Sequence, residues 1–170
     1  MFSKTDIERY FIAEKSGSLL FIILGITAIC LAIVFFFFIK ANWYKGAAIP
    51  FLIFGIIQLA AGYTVYKSSD KNRLQNVYSY DMNPSAIKTK ELPRMEKVNS
   101  TFKVLLYAEV FLIIAGLAIF FYFKNDPSKT FWVGFCLALA IEALICFGAD
   151  AVAHSRARQY SEELKVFSTK

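Results

Sequence analysis

The chain alternates between long apolar runs and charged segments, and the apolar runs come four times. Residues 16–39, 46–66, 104–123 and 131–153 each supply twenty or more positions with almost no charge. At the helical rise, twenty residues cover the ~30 Å hydrocarbon core of a bilayer. The runs are continuous rather than alternating, which favours helices over the roughly ten-residue strands of a membrane barrel. The pattern predicts an all-α polytopic membrane protein of one domain, with four transmembrane helices in a bundle built as two tandem hairpins.

The segments between the runs also read as helical. In residues 1–15, Thr5 and Glu8 have capping-box spacing, and Ile7, Tyr10 and Phe11 share a face. That fits an interfacial helix leading into the first span. Residues 67–103 read as a linker with helical extensions: Leu74, Val77 and Tyr78 continue the second span, Asn83-Pro84 breaks it, and Pro93 suits a first turn. In the 154–170 tail, Tyr160, Leu164 and Phe167 prolong an apolar stripe.

Charge sets the expected orientation. Lys and Arg number three before the first run, eight in 67–103 and four in the tail, against four in the two short hairpin loops. The positive-inside rule then places both termini and the central linker in the cytoplasm, in a multi-pass protein of the inner membrane. The net charge of +6 is explained by lysines and arginines flanking spans and touching anionic headgroups, so it does not point to nucleic acid. The chain is 57% hydrophobic with mean hydropathy +0.49. The first run ends in Phe35–Phe38 rather than at small residues, so it reads as a retained helix and not as a cleaved signal. Cys30, Cys136 and Cys146 all fall inside spans, where a buried thiol acts as a small hydrophobe.

The two halves resemble each other. Leu31-Ala32-Ile33 before Phe35–Phe38 corresponds to Leu117-Ala118-Ile119 before Phe120–Phe123. Lys40, Lys45 and Gln58 match Lys124, Lys129 and Glu142 at a constant offset of 84 residues. A duplicated two-span unit keeps both copies in one orientation, with a pseudo-twofold axis along the membrane normal.

Four polar side chains inside the spans are the candidate site. Gln58 lies ~13 Å and Glu109 ~9 Å from the charged boundary, and Glu142 lies ~18 Å in, near the midplane. Asp150 sits about one turn inside. Gly55, Gln58, Gly62 and Tyr66 share a face in the second span, as do Ala138, Glu142, Ala149, Asp150 and Ala153 in the fourth. Glu109 aligns with Gly116, and Ser18, Gly25, Ala28 and Ala32 form a small-residue stripe in the first span. Small residues allow close helix contact, and polar ones bond across it. Glu142 is expected either to be protonated and fix helix register, to bond to Gln58 or Tyr63, or to line a wet cavity. Glu109 is expected to pair with Lys103 or another base, and Asp150 with His154. No catalytic, cofactor or metal-binding motif is present; a lone His154 beside carboxylates falls short of a metal ligand set.

Gly55-Ile56-Ile57-Gln58-Leu59, Tyr66–Lys71, Met95-Glu96-Lys97-Val98 and Phe131-Trp132-Val133-Gly134 resemble stretches of small uncharacterised four-span inner-membrane proteins of bacteria. That resemblance implies the fold and no activity. The chain more loosely resembles four-span drug exporters, but those are shorter and carry a carboxylate in the first span, where this chain has none. Two functions follow as expectations. One is a non-enzymatic scaffold or interaction protein, including an immunity type, engaging a protein partner or a second copy through its cytoplasmic helices. The other is a small proton- or cation-coupled transporter or channel using Glu142.

Overall fold

The computed structural model describes residues 2–168; Met1 and the last two residues of the tail lie outside them. Four long helices make up the described chain: α1 (Lys4–Phe38), α2 (Asn42–Met82), α3 (Pro84–Phe123) and α4 (Pro127–Phe167). Each is long and apolar enough to cross a membrane. Each is also far longer than a bilayer requires, so the charged linker and tail are continuations of the spans and not separate elements. Asn83, with φ −151° and ψ 71°, breaks α2 from α3, and Pro84 opens α3 at its first turn. The capping box at the start of α1 is not the expected Thr5–Glu8 pair. Ser3 caps the helix, and its N–H and hydroxyl both donate to Asp6 Oδ2, at 2.9 and 2.7 Å. Ser3 and Asp6 have the same spacing two residues earlier, and the helix accordingly starts earlier.

Packing follows the small-residue stripes. α1 runs along α2, α3 along α4, and α2 along α4. The order across the molecule is therefore α1–α2–α4–α3, with α1 and α3 outermost. Gly25 of α1 meets the backbone of Gly55 and Leu59, and Gly62 of α2 meets the carbonyl of Ser18. Gly116 of α3 lies against Cys136 and Ala140 of α4. Of the expected second-span stripe, Gly55, Gln58 and Gly62 are buried, but Tyr66 is partly exposed, with the Lys15 ammonium 4.8 Å from its ring centroid.

The two hairpins are joined at both ends of the α2–α4 seam. At the hairpin-turn end the backbones nearly touch. A Cβ at Gly46 would lie 1.9 Å from the Phe131 carbonyl oxygen, and one at Gly134 1.9 Å from that of Trp43. At the opposite, basic end the helices close around an apolar core containing Ile7, Phe11, Ile87, Met95, Tyr160 and Leu164. Tyr10 stacks on Tyr160 with centroids 4.2 Å apart. Burial pushes both phenols above the usual tyrosine range. Arg156 Nη1 donates to the Ala13 carbonyl at 2.8 Å, pinning α4 to α1. Lys15 and Asp70 form an ion pair between α1 and α2; their hydrogen bond holds the Asp70 carboxyl below, and the Lys15 ammonium above, its ordinary value. Large apolar residues on the outer faces, such as Phe37, Phe111 and Tyr122, are exposed, as expected of surfaces that meet lipid tails.

Candidate functional site

Gln58, Glu109, Glu142 and Asp150 are all buried, each less than a tenth exposed. The fold groups them along α4. Glu142, Cys146, Asp150 and His154 recur every four residues, so they line one face of that helix. α2 approaches this face from one side and α3 from the other.

On the α2 side, Gln58 Nε2 donates to Glu142 Oε2 at 2.9 Å and to Cys146 Sγ at 3.2 Å. Gln58 and Glu142, 84 residues apart, therefore touch directly across the hairpin seam. Gln58 Oε1 is buried and accepts no hydrogen bond from the described residues. A protonated Glu142 would supply that missing donor, because a carboxylic acid and a carboxamide can bond reciprocally.

On the α3 side, the Glu109 carboxyl faces that of Asp150 within hydrogen-bonding reach. Glu109 Oε2 meets no donor among the described residues. Two carboxyls share a hydrogen bond only when one carries a proton. None of the ion pairs among the described residues involves Glu109, Glu142 or Asp150. The expected pairings with Lys103 and His154 are thus not the ones the fold makes. Lys103 and Glu109 are six residues apart and point to different sides of α3. The His154 ring instead lies over Phe102, with centroids 5.8 Å apart, and its Nε2 is buried with no partner among the described residues.

Two members of this row were not anticipated as site residues. Cys146 looks in sequence like an inert apolar filler, and His154 like a surface partner. Their spacing from Glu142 and Asp150 is the signal that would have placed them. Chemically, the row together with Gln58 and Glu109 offers three carboxyls, an amide, a thiol and an imidazole, and among the described residues none of the three carboxyls is in an ion pair. Such a set can bind and release protons. Among the described residues, no three His, Cys, Asp or Glu side chains converge in a way that could hold a metal ion. Comparison with protein-family models, curated proteins and solved structures gives no match, and the chemistry of this row stands on its own geometry.

Proposed function

We propose that the chain is a small proton-coupled membrane carrier that loads protons on the carboxyl row of α4. The observation that carries this reading is the Glu109–Asp150 pair: two buried carboxyls facing each other, with one oxygen bare and no basic side chain in an ion pair with either. Intramembrane ionisable groups are expensive, and they mark ion or proton pathways by default. His154 stands at the basic end of the row and Glu142 near the midplane, so protons would enter from the basic end. By the positive-inside rule that end faces the cytoplasm of a bacterial cell, with both termini inside.

We further infer that the two hairpins arose by duplication. The contact between Gln58 and Glu142 supports this, because equivalent residues of two copies meet where a pseudo-twofold axis passes. The offset of 84 also carries Gly25 onto Glu109 and Tyr66 onto Asp150. The first copy thus packs its seam with glycine, whereas the second holds the carboxyl pair.

In liposomes loaded with a pH-sensitive dye, the wild-type protein should speed the decay of an imposed proton gradient, and Asp150→Asn should slow it. Equal decay in wild type, Asp150→Asn and Glu142→Gln would exclude the reading. A scaffold role has its own support. Leu74, Tyr78 and Met82 form an exposed i, i+4, i+8 stripe on α2. Leu74 lies ~12 Å past the last apolar residue of the span, beyond a headgroup layer of about 5–8 Å, so lipid does not account for it. Docking of a second copy there would be lost in Tyr78→Lys, read as a change from dimer to monomer in detergent.

A further inference from the structure

Where α2 and α3 lean together at the basic end, they enclose a recess of about 100 Å³ whose lining includes Asn72, Asn76, Ser79, Lys90, Glu91 and Arg94. It lies away from the carboxyl row and plays no part in the proposed proton chemistry. Its lining includes the buried Glu91, whose carboxylate is neutralised by Arg94 through Nε and Nη2 at 2.8 and 2.7 Å. With that pair cancelled, the charge left in the lining is the Lys90 ammonium, which has no ion-pair partner among the described residues. Ser79 and Asn76 are each nine-tenths buried. The Ser79 hydroxyl makes no hydrogen bond to the described residues, and Asn76 Nδ2 uses one N–H on the Asn72 carbonyl at 2.9 Å, leaving the other to donate. Lys90 and Glu91 are carried by the π-helical turn Ile87–Glu91. Such a turn is rarer than α-helix and recurs where a helix serves a site.

We propose that this recess binds a small oxyanion of the phosphate class. The donor chemistry fits: residues bearing one ammonium, one hydroxyl and side-chain amides line a space of about 100 Å³, room for about three waters. The anion has two possible sources, a free solute or a lipid headgroup, and depth decides between them. Asn72 to Ser79 lie ~9–20 Å beyond the last apolar residue of the second span, whereas the headgroup layer is only about 5–8 Å thick. The ligand is therefore a soluble anion.

The test uses the full chain in phosphatidylcholine nanodiscs, titrated with inorganic phosphate at constant ionic strength against chloride. Phosphate should raise the melting temperature and bind saturably. Lys90→Ala and Ser79→Val, which remove a charged donor and a hydroxyl, should each weaken binding about tenfold or more. Lys90 is exposed and holds no fold contact named above, so its variant remains informative if Ser79→Val fails to fold. Binding of equal strength in Lys90→Ala, or an equal shift from chloride, overturns the site. Loss of phosphate binding in phosphatidylglycerol nanodiscs overturns the soluble source in favour of a headgroup.

Discussion

Replacing Gly134 by alanine tests how the two hairpins are held. The new Cβ would lie 1.9 Å from the Trp43 carbonyl oxygen and 2.8 Å from its carbon. Both atoms are backbone of α2, so no flexible side chain can swing aside. Ordinary contact begins near 3.4 Å, and the two helices must separate by roughly 1.5 Å. Overpacking of this kind costs about 1–3 kcal/mol. The gap also forfeits dispersion between the facing surfaces, since a separation of 0.5–1 Å loses a quarter to a half of each contact. A total of about 2–3 kcal/mol corresponds to a fall in Tm of roughly 4–12 °C for a chain of this size. The internal control is Gly148→Ala on the same helix, where a Cβ meets nothing within 4 Å. There the substitution should be neutral or stabilising by up to about 1 kcal/mol through helix propensity. Thermal unfolding in detergent, followed by tryptophan fluorescence, suits the question because Trp43 and Trp132 both lie at this end. Equal stability of the two variants, or a larger loss in Gly148→Ala, would refute the close α2–α4 crossing.

Gln58→Leu leaves the buried Glu142 carboxyl without its amide partner and should cost about 1–3 kcal/mol in chemical unfolding; Glu142→Gln keeps a hydrogen-bonding group there and should cost less. Leu164→Ala empties a fully buried position in the basic-end core and should cost about 2–5 kcal/mol, with the melting curve as readout. The Lys15–Asp70 pair gives an acid and an alkaline limb. Asp70 titrates below its unfolded value, so its contribution is complete above that value and is lost as pH falls through the folded one. Lys15 titrates above its unfolded value, so its share is complete below that value and is lost as pH rises through the folded one. Asp70→Asn should flatten both limbs of a Tm-against-pH profile, modestly, because the pair is solvent-exposed; an unchanged profile would remove the pair from the account. Tyr10 and Tyr160 should stay protonated above pH 10 until the basic-end core opens, and a difference spectrum showing the Tyr10→Phe and Tyr160→Phe variants with the same ionisation amplitude as wild type, below the unfolding transition, would bear this out.

Much of the architecture is legible in the chain because a bilayer asks so little of a sequence beyond length and apolarity. The runs at 16–39, 46–66, 104–123 and 131–153 mark all four helices, and Asn83-Pro84 marks the one break within the central linker. The small-residue stripe Ser18, Gly25, Ala28 and Ala32 correctly identifies the packed face of α1, since lipid tails give larger residues no reason to face inward. What the stripes do not reveal is which helix meets which. A glycine permits close approach to any neighbour, so the α1–α2–α4–α3 order and the Gly46–Gly134 crossing depend on three-dimensional register. The same limit applies to the site. Helical spacing places Glu142 and Asp150 on one face but says nothing about what lies opposite, and Asp150 meets another acid across the α3–α4 seam instead of the histidine one turn away. Cys146 and His154 complete the row at intervals of four, a spacing already present in the sequence once Glu142 and Asp150 are placed on one face.

In the proposed carrier, the buried carboxyls hold exchangeable protons. Infrared spectroscopy of the protein in lipid reads this directly through the carbonyl stretch of protonated carboxylic acids. At neutral pH the wild type should show that band, shifting on transfer to heavy water, with part of its intensity lost in Asp150→Asn and a further part in Glu142→Gln. A spectrum with no protonated carboxyl at neutral pH, or one that neither substitution changes, would contradict the account.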